Sequence, residues 1–242
     1  MIDRFSKNLI AYHWLLWGFL FFLGILFLAI FQNNNFSIII NASHNNFLDQ
    51  FFKFITFFGD GIFVFLVALI FLFFNKKNGT SILISLIINT IFIQVLKRVV
   101  FSNQFRPSFY FKNLIEDGSW NLIDGVELYE KFSFPSGHTA SIFCLCISIC
   151  IFIKKKYFPL LLVLLAYIVG FSRIYLSQHF LIDVLAWAFV GSLIPILTFK
   201  YIEPLLFNKN KIKDYNELFK NKSTTNSFLF LLCMCFDIFN DR

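Results

Sequence analysis

Residues 10–31 read IAYHWLLWGFLFFLGILFLAIF, an apolar run long enough to cross a lipid bilayer. A helix needs about 20 mainly apolar residues for this, and polar-tipped residues such as His13 are few in the run. Arg4 and Lys7 precede it as they would in a signal peptide, but no small-residue cleavage site follows before the asparagines at 33–35. The run therefore predicts a first membrane-spanning helix that stays attached to the protein.

The composition of the whole chain also indicates a membrane protein. Of the 242 residues, 58% are hydrophobic and only 14% are charged, whereas about 25% of residues are charged in an average soluble protein. Most of the surface must therefore face lipid. The net charge of +7 would also suit a nucleic-acid-binding protein, but membrane proteins concentrate Lys and Arg on their cytoplasmic side. We expect the lipid bilayer as a partner and no nucleic acid.

Five further apolar segments follow the first one, so the sequence predicts an all-α membrane protein with six transmembrane helices in a bundle. After residues 10–31, the predicted spans are residues 53–74, 80–96, 137–153, 157–176 and 180–206. Residues 97–136 are polar and rich in turn residues, which predicts a long extracytoplasmic loop between helices 3 and 4. We expect one six-span domain, residues 1–206, and a basic cytoplasmic tail, residues 207–242, whose short apolar stretch cannot span.

The distribution of basic residues predicts the orientation. The N-terminus, the turns after spans two and four and the tail all lie on one side of a six-span order, and all four are rich in Lys and Arg. That side should be cytoplasmic, with both termini, and the long loop should face the periplasm across a bacterial inner membrane. Four basic residues on the outer side lack this explanation: Lys97, Arg98, Arg106 and Arg173.

The stretch that begins at residue 172, SRIYLSQHFLID, fits the pattern S-R-x5-H-x3-D. If His179 opens the sixth helix, Asp183 lies four residues later on the same helix face. A carboxylate in that position can keep one imidazole nitrogen protonated and leave the other free to attack an electrophile. We expect His179 to be a nucleophile that Asp183 orients.

A second motif, Pro135-Ser136-Gly137-His138, immediately precedes the fourth predicted span. Its proline and small residues are typical of a helix start whose free N–H groups and dipole bind anions. The Ser136 hydroxyl would add a donor, and Gly137 would allow the anion to approach closely. His138 is next to this predicted anion site, where a general acid and base would be needed.

The unexplained cations complete a phosphate site. Lys97, Arg106 and Arg173 come from separate segments and would converge on one phosphoryl group, where they would clamp the charge of its transition state. Asp60, between Gly59 and Gly61, is equally consistent with a functional carboxylate and with a local break in the second helix. The cysteines form no C-x-x-C pair, so we expect no metal site.

These motifs resemble the three signatures of the type 2 phosphatidic acid phosphatase family, K-x6-R-P, P-S-G-H and S-R-x5-H-x3-D, in that order. The last two match without exception. The first signature does not match, because it requires six residues between the lysine and the arginine. In this chain eight residues separate Lys97 from Arg106, and seven separate Arg98 from Arg106. Either the loop bulges, or Arg98 takes the place of the lysine.

The resemblance implies a six-helix bundle and a metal-independent phosphatase without a cofactor, which acts through a phosphohistidine intermediate. It assigns His179 as nucleophile, Asp183 as its partner and His138 as proton donor. The phosphate ligands that it implies are Lys97, Arg106, Ser136, Gly137 and Arg173.

The resemblance further implies a membrane lipid phosphate as substrate: undecaprenyl diphosphate, a phosphate of lipid A, or a glycerophospholipid phosphate. A lipid-to-lipid phosphotransferase would carry the same motifs, so the sequence leaves that alternative open. A non-catalytic transporter or scaffold is a third possibility, but it would show degenerate motifs, and His138, His179 and Asp183 are intact. The oligomeric state is left open.

Overall fold

The computed structural model describes residues 4–153, 155 and 157–207, with side chains from residue 12 onward. Within these residues the secondary structure is helical, apart from an isolated antiparallel bridge between Phe105 and Lys131. The α-helices are α1 (Arg4–Ala42), α2 (Asn46–Thr56), α3 (Gly61–Phe74), α4 (Lys76–Val95), α5 (Pro107–Tyr110), α6 (Lys112–Glu116), α7 (Gly137–Phe152), α8 (Phe158–Tyr175), α9 (Leu181–Leu197) and α10 (Glu203–Phe207).

Helix length and composition mark the chain as an integral membrane protein. In the described part of the chain, four helical segments are long and apolar enough to cross a bilayer: Tyr12–Ala42, Lys76–Val100, Phe158–Tyr175 and Leu181–Phe207. The bent pair Asn46–Gly59 and Gly61–Phe74 would make a fifth span. Helix α7 is apolar but has 16 residues, which at 1.5 Å per residue is about 24 Å of helix.

The second predicted span, residues 53–74, is wrong as one continuous helix. Helix α2 ends at Thr56, a 3-10 turn covers Phe57–Gly59, and α3 leaves the break at an angle of 53°. Asp60 is extended and caps α3, since its carboxylate accepts a 2.8 Å hydrogen bond from the N–H of Ile62. This use of the carboxylate favours the local-break interpretation of Asp60.

Gly59 brings this break against α7. A Cβ atom at residue 59 would lie 2.8 Å from Val169 and 3.0 Å from both the Cβ and the carbonyl oxygen of His138. Only glycine therefore allows the turn to pack this closely against the first turn of α7. The 3-10 turn of the break therefore packs directly against the Pro135–His138 motif.

Two other predicted spans continue beyond their expected ends. Helix α1 has a break at Gln32 (φ 59°), next to the predicted end of the first span, and then continues to Ala42. After α4, a π-helical turn covers Leu96–Val100. Lys97 and Arg98, which the sequence predicts at the start of the long loop, therefore lie in a helical turn, and the irregular chain begins at Phe101.

Helix α7 lies at the centre of the packing and contacts α4, α8 and α9. Its Cys144, Cys146 and Cys150 are buried among apolar side chains, as expected for small packing residues. At Gly191 of α9, an added Cβ would lie 2.7 Å from the carbonyl oxygen of Ala140. The backbones of α7 and α9 therefore meet directly.

Residues 101–136 form a connection that is tied to the turn between α8 and α9. Trp120 is buried, stacks on Phe111 and donates a 3.2 Å hydrogen bond from its indole N–H to the Ser177 hydroxyl. Three hydrogen bonds of 2.9 Å join Asn121 to Asn41 at the end of α1. The contacts divide the chain into two units, residues 1–200 and 201–242, and the tail stretch 228–239 lies outside the described residues.

Candidate active site

The site lies where α4 and α8 end and α7 and α9 begin, so four helices contribute their termini to it. His179 is in the turn between α8 and α9, two residues before α9 starts. The backbone N–H groups of Gln178 and His179 both donate to the carbonyl oxygen of Arg173, at 2.9 and 3.1 Å. This turn fixes the histidine directly beside the last turn of α8.

Asp183 approaches His179 through a helix cap and not through a shared helix face. Its carboxylate oxygen Oδ2 accepts from the N–H of Phe180, the N-cap residue of α9, at 3.0 Å. The same oxygen accepts a short hydrogen bond from the Ser133 hydroxyl and lies 3.6 Å from Nδ1 of His179. The predicted pair is therefore adjacent, at a distance slightly longer than a hydrogen bond.

The environment of His179 favours its neutral form. The side chain is 2% exposed. Burial, together with the positive charges of Arg106, Arg173 and Lys97, lowers its pKa well below the ordinary value for histidine. A neutral imidazole with one nitrogen turned toward a carboxylate is the form that can attack an electrophile through its other nitrogen.

The N-terminus of α7 is built as an anion site. Ser136 is extended and fully buried at the N-cap position, and its hydroxyl is paired with the Thr139 hydroxyl at 2.8 Å instead of with the backbone. The first N–H groups of a helix have no partner within the helix, so a bound anion can satisfy them. A Cβ at Gly137 would meet no atom of the described chain within 4 Å, which leaves open space at this helix end.

Arg106 is held in one orientation by the loop and by the α8–α9 turn. Its Nε donates to the carbonyl oxygen of Lys131 at 3.0 Å, and one terminal nitrogen donates to the side-chain oxygen of Gln178 at 2.7 Å. Its guanidinium carbon lies 5.6 Å from the ring centre of Tyr129. Arg106 is buried, and burial lowers the pKa of its guanidinium below the usual range.

Arg173 and Lys97 supply the other two cations. Arg173 is buried and donates from one terminal nitrogen to the Thr56 hydroxyl at 2.7 Å, while its Nε is buried without a partner among the described residues. Lys97 interacts electrostatically with Arg106, Arg173 and Asp183. Arg98 is exposed instead and donates to the side-chain oxygen of Gln94 at 3.3 Å.

The predicted residues therefore share one neighbourhood. His138, in the first turn of α7, interacts electrostatically with Arg173, His179, Arg106 and Lys97. Ser136 and Gly137 are its immediate neighbours at the same helix end. Of the two readings of the first signature, the π turn at Leu96–Val100 favours the bulge, because it carries Lys97 into the cluster and leaves Arg98 at its edge.

A family model, described as the PAP2 superfamily, matches residues 78–206, more than half of the chain. The chain belongs to the PAP2 superfamily. The resemblance to type 2 phosphatidic acid phosphatases that the sequence motifs carry is therefore confirmed. Among curated proteins, no significant match is found.

Two solved structures resemble this PAP2 protein over most of their length. One is LpxE from Aquifex aeolicus, with 28% sequence identity and a TM-score of 0.60 over 70% of this chain and 95% of that chain. The other is a transmembrane PAP2-type phosphatidylglycerolphosphate phosphatase from Bacillus subtilis, with 21% identity and a TM-score of 0.60 over 85% of this chain and 98% of that chain. At this identity the second likeness concerns the fold alone.

Sequence reasoning missed the residues that orient the PAP2 site. Gln178 bonds to Arg106, Ser133 to Asp183, and Thr56 to Arg173. Gln178 lies inside the motif that begins at Ser172, and Ser133 lies two residues before Pro135, which is a weak signal. Nothing in the local sequence singles out Thr56.

The described residues of the PAP2 protein contain no group of three or more His, Cys, Asp or Glu side chains close enough to hold a metal ion. The positive charge of the site comes from Lys97, Arg106 and Arg173. What the arrangement offers chemically is a neutral imidazole, a carboxylate beside it, a second histidine and a set of fixed cations.

Proposed function

We propose that the protein is a membrane lipid phosphatase that removes a phosphoryl group from a lipid phosphomonoester or diphosphate through a phosphohistidine intermediate. The observation that carries the proposal is the burial of His179 beside Asp183, within the field of Lys97, Arg106 and Arg173. A nucleophile surrounded by fixed cations is suited to a phosphate ester, because its transition state is strongly anionic.

In the first step, Nε2 of His179 attacks phosphorus, and the bond from phosphorus to the lipid oxygen breaks. Asp183 faces Nδ1 and stabilises the positive charge that the imidazole acquires. His138 gives a proton to the departing oxygen. It then takes a proton from a water molecule that attacks the phosphohistidine and releases inorganic phosphate.

The cations and the α7 terminus bind the phosphoryl oxygens in this mechanism. The guanidinium of Arg106 is anchored by Lys131 and Gln178, so its remaining N–H groups are pre-oriented for an anion. The buried Nε of Arg173 gains a partner when phosphate binds. Because side chains supply this charge, we propose catalysis without a metal ion or another cofactor.

A lipid substrate is supported by an apolar groove of about 390 Å³ between α3, α4 and α7. Among its lining residues are Gly61, Thr90 and Ser141. Ser141 lies one turn after His138 on α7, and Thr90 lies two turns before Lys97 on α4. A hydrocarbon tail in this groove would therefore run away from the site into the bilayer.

We further propose six spans, with the α2–α3 pair and the short α7 counted as one span each. The distribution of basic residues supports an orientation with both termini in the cytoplasm and the site at the periplasmic face of a bacterial inner membrane. Residues 1–206 would form the catalytic domain and residues 207–242 a cytoplasmic tail.

The test is a phosphate-release panel with purified protein and undecaprenyl diphosphate, a lipid A phosphate, phosphatidic acid and phosphatidylglycerophosphate. His179→Ala should abolish release, and His138→Ala should slow it by about 10²- to 10⁴-fold, because proton transfer is lost. Chromatographic behaviour and thermal stability of each variant control for folding. Full activity in either variant would refute the mechanism, and transfer of phosphate to a second lipid would identify a phosphotransferase.

A further inference from the structure

Arg98 has no role in the mechanism proposed above. Lys97 belongs to the phosphate cluster, and Arg98 follows it in the same π-helical turn. A π turn carries more residues than an α turn, so two consecutive side chains diverge less around the axis. Both residues consequently line one cavity of about 490 Å³, together with Gln94 and Phe132.

This cavity adjoins the catalytic groups through its loop wall. Phe132 lies between Lys131, whose carbonyl oxygen anchors Arg106, and Ser133, whose hydroxyl bonds to Asp183. Lys97 lines the cavity and also interacts electrostatically with Arg106, Arg173 and Asp183. A group bound in the cavity would therefore share Lys97 with a phosphoryl group held by Arg106 and Arg173.

Arg98 is oriented but not neutralised. Its Nε donates to the side-chain oxygen of Gln94, which lies one helical turn earlier. Within the described residues, no carboxylate lies within ion-pair distance of Arg98. Its terminal nitrogens and the amide N–H₂ of Gln94 remain as donors, and a guanidinium matches the oxygens of a phosphate.

We propose that Arg98 and Gln94 form a second phosphate subsite and that the preferred substrate is a lipid diphosphate. The proposal rests on the phosphatase function proposed above. The terminal phosphoryl group would bind Lys97, Arg106 and Arg173, and the inner phosphate would bind Arg98. Two cations on adjacent residues suit two phosphates that share one bridging oxygen.

The reaction follows from this placement. Nε2 of His179 bonds to the terminal phosphorus, and the bond from that phosphorus to the bridging oxygen breaks. The bridging oxygen departs on the lipid monophosphate, which Arg98 stabilises. Water then takes the phosphoryl group from His179, so one diphosphate and one water give one lipid monophosphate and one inorganic phosphate.

The kinetic test compares farnesyl diphosphate with farnesyl monophosphate, which share one tail, using the full chain in nanodiscs of neutral lipid. Wild-type protein should have the higher kcat/KM with the diphosphate. Arg98→Gln should lower the ratio of the two kcat/KM values about tenfold, since a charge-assisted hydrogen bond is lost. Arg98→Lys, which keeps the positive charge but not the paired N–H donors of the guanidinium, should give an intermediate ratio. Lys112→Gln, an exposed cation paired with Glu116, should keep the wild-type ratio.

Two results would overturn the proposal: an unchanged ratio in active Arg98→Gln protein, or a wild-type preference for the monophosphate. Arg98 could instead bind only the headgroups of bulk lipid. Its replacement should then change kcat/KM for both substrates equally, and only in nanodiscs that contain phosphatidylglycerol. That result would likewise overturn the proposal.

Binding separates this proposal from the phosphatase function. In a His179→Ala background, calorimetry should show that Arg98→Gln weakens the binding of inorganic pyrophosphate about tenfold more than the binding of orthophosphate. Equal weakening of both anions would refute the subsite whether or not the protein is a phosphatase. If Arg98→Gln selectively weakens pyrophosphate binding but the wild-type protein hydrolyses neither substrate, the subsite would be supported and the proposed reaction would be refuted.

Discussion

Replacement of Gln178 by alanine is expected to weaken catalysis through Arg106. Gln178 is buried, and its side-chain oxygen accepts from Arg106 at 2.7 Å while its amide nitrogen donates to the carbonyl oxygen of Glu127 at 2.8 Å. The side chain therefore joins the α8–α9 turn, the phosphate-binding arginine and the loop. It touches no reacting atom in the proposed mechanism, so it is a positioning residue.

The magnitude follows from the bonds that Arg106 keeps. A hydrogen bond to a charged group contributes about 1.5–3 kcal/mol. In Gln178→Ala, Arg106 retains the 3.0 Å bond to Lys131 and a 3.3 Å bond to the backbone carbonyl of residue 178. Because two anchors remain, we expect the lower end, about 1.5 kcal/mol, which is about a tenfold decrease in kcat/KM.

Gln178→Glu separates positioning from electrostatics. The glutamate loses the amide donor to the carbonyl oxygen of Glu127, but it keeps an oxygen that accepts from Arg106, so this anchor of the guanidinium would be preserved. Its charge, however, would neutralise Arg106 and compete with the phosphate for the same cation. We therefore expect a larger loss of kcat/KM than in Gln178→Ala, together with an acidic limb displaced to higher pH as the pKa of His179 rises.

The assay is initial-rate phosphate release by purified variants at several pH values, with the best substrate of the panel. Gln104→Ala serves as the matched control, because Gln104 is an exposed glutamine in the same loop. Wild-type kcat/KM in Gln178→Ala would show that Arg106 is oriented without this bond. Rescue of activity by Gln178→Glu would refute the electrostatic part of the reasoning.

Two further outcomes follow from the charges in the site. Chelators should leave phosphate release unchanged and vanadate should inhibit it, because side-chain cations hold the transferring group; activity that is lost on chelation and restored by a divalent ion would contradict this expectation. The pKa of His179 lies well below 6.5, so the imidazole stays neutral as the pH falls through 6.5. Phosphate release should therefore continue at pH 6.5 and decrease only when the pH approaches the lowered pKa. Lys97→Gln removes one of the cations that lower this pKa. For the same lipid, it should therefore move the acidic limb of the kcat/KM profile to higher pH. An acidic limb at the wild-type pH would exclude His179 as the group that titrates.

The proximity of the candidate site residues could be predicted because it depends on residue type and short spacing. His179 with Asp183, and Ser136 with Gly137 and His138, lie within five positions of each other. Local backbone geometry brings such residues together in almost any helical context. The reasoning was still wrong in one detail, because a helix cap and not a shared helix face brings Asp183 to His179.

The residues that orient the site could not be predicted, because their contacts bridge long separations in sequence. Ser133 and Asp183 are 50 positions apart, Arg106 and Gln178 are 72 apart, and Thr56 and Arg173 are 117 apart. Serine, glutamine and threonine are also common in ordinary turns and caps. Only the tertiary fold distinguishes these uses.

The helix irregularities explain the remaining errors. Apolar composition predicts that a segment lies in the membrane, but it does not report a break or a change of helical period. The residues around Asp60 are apolar on both sides, so the 53° bend was hidden in what reads as one span. The π turn at Leu96–Val100 likewise extends a helix into a segment that reads as loop, and it decides which of two adjacent cations reaches the site.

The buried charges of the site are unbalanced without an anion, and this imbalance connects stability with specificity. Lys97 and Arg106 interact electrostatically with the carboxylate of Asp183, and the Nε of Arg173 has no partner in the described chain. A buried donor without a partner costs about 1–3 kcal/mol. Binding of a phosphate dianion removes this cost, whereas a neutral headgroup leaves it in place. The protein would therefore discriminate through its own unsatisfied groups, because Gln178, Ser133 and Thr56 hold Arg106, Asp183 and Arg173 in positions where a bound anion supplies the missing partner.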